Sequence, residues 1–337
     1  MSLTDFRPIR GCQFPPAFRN NAPPPLVCRS FELLETALLT PAAAALAWDP
    51  PRRSDEGFMQ SLVTPSWLAA NLSSPNLLIF DATKYLPTEG RDAKVIFESD
   101  HLPGARFFDI DLFADPETDL PHMAPTQGRF ARLAAAHAIA NQSQIVFYDQ
   151  KGQASAARGW WLMRLFGHED VALLDGGLPA WKWQSISQTK DAVSTAPSGT
   201  FLPRYRADLI AGLGDIMPAL AQGALLLDAR PTDRFSGSAP EPRPGLARGH
   251  IPGSISLPFT QMLESDGTFL PPAELQRRLS AVGVLPGRRI ITTCGTGVTA
   301  AILAFAITYA GFGDAAVYDG SWTEWGSRSD TPKETGL

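Results

Sequence analysis

A chain of 337 residues is long enough for two globular domains rather than one small binding module. Hydrophobic residues at 44% and charged residues at 19% describe a folded protein and exclude the disordered and collagen-like classes. With 29 basic against 34 acidic side chains the net charge is −5, too little field to grip nucleic acid or an anionic membrane, and no apolar run reaches the ~18 residues of a membrane span.

In chain order, residues 1–58 carry Pro15-Pro16 and Pro23-Pro24-Pro25, no lysine and little periodic hydrophobicity. They read as a poorly structured extension, dispensable for activity, and resemble neither a secretory signal nor a strong transit peptide. The three cysteines, Cys12, Cys28 and Cys294, form no C-x-x-C pair and no zinc spacing, which points to a reducing compartment, the cytoplasm, and leaves Cys12 and Cys28 without a role. Thr64-Pro65 predicts a helix N-cap followed by proline at the first helical position.

From Met59 onward one theme is stated twice. Asp81 after an apolar run answers Asp228; His101-Leu102-Pro103-Gly104 answers His250-Ile251-Pro252-Gly253; Asp149 after Ile145-Val146-Phe147-Tyr148 answers Cys294 after Ile290-Ile291-Thr292-Thr293; Asp175-Gly176-Gly177 answers Asp319-Gly320-Ser321. Four collinear pairs, 144 to 149 residues apart, imply a duplicated domain rather than a solenoid. Apolar runs alternate with amphipathic segments, which predicts β-α units: an α/β protein with a parallel sheet in each half, flanked by helices on both faces. Residues 184–203, rich in Ser, Thr, Gln and Pro, mark a linker. The expected division is an extension over 1–58, a first domain over 59–185, a linker over 186–206, a second domain over 207–328 and a tail over 329–337.

The halves differ where one has Asp149 and the other Cys294. Cys294-Gly295-Thr296-Gly297-Val298-Thr299 reads as a tight loop between a buried strand and a helix beginning near Ala300. Two glycines let successive backbone N–H groups turn inward, and with the helix dipole they form an anion cradle, a setting that stabilises a thiolate. By itself, a small buried cysteine in an apolar strand is the competing reading. His101 and His250 occur in both halves although only one has the cysteine, so they are assigned to structure. Trp160, Trp161 and Trp181 are assigned to packing.

Together the Cys294 loop, the two His-x-Pro-Gly segments and Asp319-Gly320-Ser321-Trp322 resemble the tandem-domain rhodanese family, most closely its 3-mercaptopyruvate sulfurtransferases, from about Ser61 to Arg328. The resemblance implies two rhodanese-like domains, an inactive first and a catalytic second, with the site at their interface. It implies Cys294 as nucleophile and Gly295, Gly297, Val298 and Thr299 as its cradle. Arg234 and Arg243 match the family's substrate-binding arginines, and guanidinium forks suit the carboxylate and carbonyl of a keto acid; pairing with Glu241 is the simpler alternative for either. Asp111, His122 and Thr296 match a proton relay, threonine standing where the family usually has serine. A helix cap, a loop histidine and a turn hydroxyl are the simpler roles for these three.

The activity so implied is sulfur transfer from 3-mercaptopyruvate through a cysteine persulfide to a thiol such as thioredoxin, or to cyanide, with release of pyruvate by a monomer needing no cofactor or metal. The alternatives are a thiosulfate:cyanide sulfurtransferase, suited less by a loop without basic side chains, a cysteine phosphatase, which needs a longer loop closed by arginine where this chain has Thr299-Ala300-Ala301, and a non-enzymatic persulfide carrier.

Overall fold

The computed structural model describes residues 59–184 and 199–337; the expected extension, with Cys12 and Cys28, and most of the expected linker lie outside the described residues. In the first half the elements are β1 (Leu62–Val63), α1 (Pro65–Asn71), β2 (Leu77–Asp81), α2 (Ala93–Ser99), β3 (Arg106–Phe107), α3 (Gln127–Ala136), β4 (Gln144–Tyr148), α4 (Ala156–Leu165), β5 (Val171–Leu174) and α5 (Gly177–Trp183). The second half repeats them as β6 (Ile210–Ala211), α6 (Leu213–Ala221), β7 (Leu225–Asp228), α7 (Thr232–Ser236), β8 (Ile255–Ser256), α8 (Pro272–Ala281), β9 (Ile290–Thr293), α9 (Ala300–Tyr309), β10 (Ala316–Tyr318) and α10 (Ser321–Ser327).

Each sheet has five parallel strands, ordered β1-β5-β4-β2-β3 and β6-β10-β9-β7-β8, so the duplication extends to topology. Thr64 caps α1 as its sequence predicts, accepting from Trp67 N at 3.1 Å, but the two-residue strand β1 precedes it and pairs with β5. Its brevity left no periodicity to read. The strands are apolar on both faces because both are covered. Along β4, Ile145 and Phe147 pack with Phe130 and Trp161 on one side, while Val146 and Tyr148 pack with Leu68, Phe97 and Trp181 on the other. Thus the tryptophans serve packing, as expected.

One hydrophobic cluster runs through both halves. At its centre α4, buried at every residue, packs with α9, buried over Ala300–Ile307; Trp160 meets Phe305 edge-on at 5.1 Å. These helices follow equivalent strands, so the halves meet through equivalent faces. The duplicated aspartates add reciprocal bonds: Asp175 accepts from Phe269 N of the second half at 2.8 Å, and Asp319 accepts from Ala124 N of the first at 2.6 Å. Residues 199–206 return along α4, with Arg204 N and Arg206 N donating to the carbonyls of Phe166 and Leu165. Residues expected as a tail pack as well, Glu334 exchanging two backbone bonds with His250.

Candidate active site

β9 ends at Thr293, and the next residue, Cys294, is 2% exposed. Its N–H donates to Ser321 Oγ at 3.2 Å, while its carbonyl accepts from Trp322 N at 3.0 Å. Thr323 holds the Gly295 carbonyl with both its N–H and its hydroxyl, at 2.9 and 2.7 Å. Ser321 can do this because it sits at φ 50°, turning its hydroxyl under the loop. The start of α10 therefore fixes the backbone on either side of the sulfur.

What this loop geometry binds is visible in its counterpart. Asp149, in the position of Cys294, is wholly buried with no salt bridge among the described residues, and its carboxylate accepts from the N–H groups of Ala154, Ser155 and Ala156 at 2.8, 2.9 and 3.0 Å and from Lys151 N at 2.9 Å. The first half thus fills its own anion cradle. In the second half the loop is one residue shorter, and the N–H groups of residues 295–300 donate to no protein acceptor among the described residues. Those donors lie at the N-terminus of α9, in the loop that follows Cys294 as residues 150–155 follow Asp149.

Gly297 makes the turn at φ +76°; a Cβ there would lie 2.9 Å from Arg158 Nη1 and 3.0 Å from the Asp319 carbonyl. Arg158, from α4 of the first half, is 0% exposed. It bonds Asp319 Oδ1 at 2.7 Å, the Gly297 carbonyl at 3.3 Å and the His122 carbonyl, with its guanidinium 4.2 Å from the Trp161 ring. Asp319 also takes Ala124 N. Between them, these two charges clamp both sides of His122, whose φ of 66° is a left-handed conformation that costs a residue with a Cβ roughly 1 kcal/mol or more.

So held, His122 bridges the halves. Its Nδ1 lies 2.9 Å from Thr296 Oγ1 and its Nε2 lies 3.2 Å from Asp111 Oδ1, while Lys84 Nζ contacts the other Asp111 oxygen. The hydrogen bond from His122, and then Lys84, hold the Asp111 carboxyl far below the usual carboxylate range despite partial burial. An ionised carboxylate only accepts, which places the imidazole proton on Nε2 and leaves Nδ1 to accept from the Thr296 hydroxyl. Burial, with smaller contributions from Arg158 and Lys84, pushes His122 below the ordinary histidine value and outweighs Asp111. The imidazole is therefore neutral at neutral pH, and the extra methyl of threonine does not prevent the contact.

The two arginines differ. Arg234, on α7, donates through Nε at 3.2 Å and through Nη2 to Glu241 Oε2, so the simpler pairing does occur. Glu241 is itself fixed by Arg230, which is anchored on Asp228 and the Gly249 carbonyl. This chain holds Arg234 over the cysteine loop, with Nη2 3.3 Å from where a Gly295 Cβ would stand. Arg243 makes no hydrogen bond or ion pair with protein among the described residues; burial, then repulsion from Arg234, lowers its pKa, and the charges of Cys294 and Asp111 act on it from nearby. It borders a cavity of about 420 Å³ with Lys84, Tyr85, Arg91, Asp111 and His122. Cys294, buried, is not among the residues that line this cavity.

The model of the rhodanese-like domain matches residues 64–184 and 214–328. The chain belongs to the rhodanese family. Both halves of this rhodanese carry the match. It is 40% identical over 297 residues to thiosulfate/3-mercaptopyruvate sulfurtransferase 1, mitochondrial, of Arabidopsis thaliana, covering 82% of this chain and 78% of the relative. With the 3-mercaptopyruvate sulfurtransferase of Escherichia coli K12 it shares 36% over 274 residues, covering 81% and 97%. The crystal structure of the 3-mercaptopyruvate sulfotransferase SseA from Escherichia coli superposes with a TM-score of 0.71 at 32% identity, covering 78% of this chain and 99% of that one.

Every predicted site residue of this rhodanese falls at or beside the interface: Asp111, His122 and Thr296 joined by hydrogen bonds, Cys294, Gly295, Gly297, Val298 and Thr299 in the loop after β9, Arg234 beside that loop and Arg243 on the cavity. The paired histidines are structural, as expected, His101 Nδ1 bonding the Phe97 carbonyl at 2.7 Å and His250 Nδ1 the Phe235 carbonyl at 3.0 Å, each stacked on that phenylalanine. Sequence reading missed Lys84 and Arg158, saw Asp319 and Ser321 only as repeat landmarks, and saw Glu241 only as a simpler partner for the arginines. For Arg158 a signal existed, a charge inside the apolar run of α4; for Lys84, in a polar loop, there was none.

Proposed function

We propose that this rhodanese is a 3-mercaptopyruvate sulfurtransferase that works through a persulfide on Cys294. The carrying observation is the hydrogen-bonded line from Asp111 through His122 to Thr296, ending two residues from the nucleophile. Thiosulfate loses sulfite and needs no proton delivered to carbon; a keto-acid thiol does. The Cys294 thiolate attacks the sulfur of 3-mercaptopyruvate, an S–S bond forms as the C–S bond breaks, and the electron pair passes to the methylene carbon as an enolate. The thiol proton of the donor moves through the Thr296 hydroxyl to neutral His122 and is returned to that carbon, giving pyruvate and the persulfide anion with no oxidant consumed. Arg243, without a hydrogen bond or ion pair to protein among the described residues, takes the donor carboxylate with Arg234. The loop N–H groups then hold the terminal sulfur, as their counterparts hold Asp149, until a small thiol, thioredoxin or cyanide removes it.

Thiosulfate is retained as a second donor because the Arabidopsis relative is named for both activities. A monomer is proposed because the duplication itself supplies the interface. A reducing compartment, the cytoplasm, is proposed from the cysteine count; that same relative is named mitochondrial. Among the described residues no helix is long and apolar enough to cross a membrane. Intact-protein mass spectrometry after mixing with each donor tests the reading. Wild type should gain one sulfur from 3-mercaptopyruvate and Cys294→Ser none; sulfur retained by the variant rejects the assigned nucleophile.

A further inference from the structure

Asp111 is the weakly held member of the relay. Its side chain is 56% exposed, whereas that of His122 is 6% exposed and clamped by Arg158 and Asp319. A carboxylate so open to solvent would rotate freely about its side-chain bonds unless a second contact fixed it. Lys84 supplies that contact. Its backbone is anchored to the first half's cradle loop, its N–H donating to Ser155 Oγ at 2.9 Å, and its ammonium reaches across the cavity mouth to Asp111 Oδ2. With Oδ2 on Lys84, Oδ1 is left facing His122 Nε2. We propose that Lys84 is a positioning residue of the proton relay, one that holds the Asp111 carboxylate on His122 and so keeps the imidazole in the tautomer that accepts from Thr296.

This rests on the sulfurtransferase reading above. The groups facing His122 are Asp111 from the loop after β3, Lys84 from the loop after β2, Arg158 from α4 and Arg243 across the cavity from the second half. Asp111 raises His122 through both its hydrogen bond and its charge, and each of these outweighs the opposing effect of the Lys84 charge. The sign follows. Without Lys84 the carboxylate is released from Nε2, the imidazole loses the partner that favours its protonated form, and the acidic limb of the rate profile moves down.

The test is the pH profile of pyruvate release from 3-mercaptopyruvate in wild type, Lys84→Met and Lys84→Arg. For Lys84→Met the expectation is an acidic limb displaced downward by about half a pH unit, the size of a partly exposed charge–charge interaction, together with a severalfold lower kcat and little change in KM. Lys84→Arg, which keeps the cation, should restore the limb. A higher KM with an unmoved limb would make Lys84 a donor-binding group and overturn the proposal, and so would an unmoved limb at any kcat or an upward shift, which loss of the Lys84 charge alone would give. If wild type itself gains no sulfur on Cys294, the sulfurtransferase reading fails; if it does and the limb stays, only the role of Lys84 fails.

Discussion

Replacing Arg158 by methionine should separate folding from catalysis. The Arg158 and Asp319 side chains are 0% and 3% exposed and 2.7 Å apart, so the change strands a buried carboxylate. Breaking one side of a buried pair costs about 3–5 kcal/mol, and losing the bonds to the carbonyls of His122 and Gly297 adds roughly 0.5–1.5 kcal/mol each. Methionine recovers part of this by filling the space against Trp161, so a net loss of about 4 kcal/mol is expected in urea unfolding near neutral pH. In the double variant Arg158→Met/Asp319→Asn the stranded charge is gone while the amide oxygen can still accept from Ala124 N. Stability should then recover by about 2 kcal/mol or more. Turnover should not, because the left-handed backbone of His122 has lost its anchor. A single variant within about 1 kcal/mol of wild type, or a double variant with normal turnover, would refute the clamp.

Arg243→Gln removes a cation that has no hydrogen-bond or ion-pair partner among the described residues, so stability should hold while KM for 3-mercaptopyruvate rises about tenfold or more, the worth of one charge-assisted bond; an unchanged KM would remove Arg243 from the site. Burial raises Asp81 to about 6. A carboxyl whose folded pKa lies above its unfolded value contributes stability at low pH that is lost as pH rises through about 6. Wild type should therefore lose stability relative to Asp81→Asn across that interval, and a flat difference in unfolding free energy would show that Asp81 titrates normally. Gly297→Ala should cut turnover at least tenfold through crowding of Arg158 and the Asp319 carbonyl at a positive φ; steady-state rates at normal folded yield provide the check.

Much of this molecule can be read along the chain because its information is local. The run ending at Thr293, the glycines that follow and the apolar helix from Ala300 specify strand, loop and helix N-terminus, which puts Cys294 at a cradle of N–H groups whatever surrounds it. The paired landmarks specify duplication, and duplication specifies two like sheets. Asp111 and His122 were reachable only through family resemblance, for nothing in their own neighbourhood marks them as partners of a residue more than 170 positions away. Tertiary structure alone decided that Lys84 meets Asp111, that Arg158 and Asp319 close on His122, and that Glu241 ties up Arg234 while Arg243 pairs with nothing among the described residues. Those contacts arise where two equivalent faces dock. Docking depends on the summed shape of α4 and α9 rather than on any short pattern, and a charge is stable there only because its partner arrives from the other half.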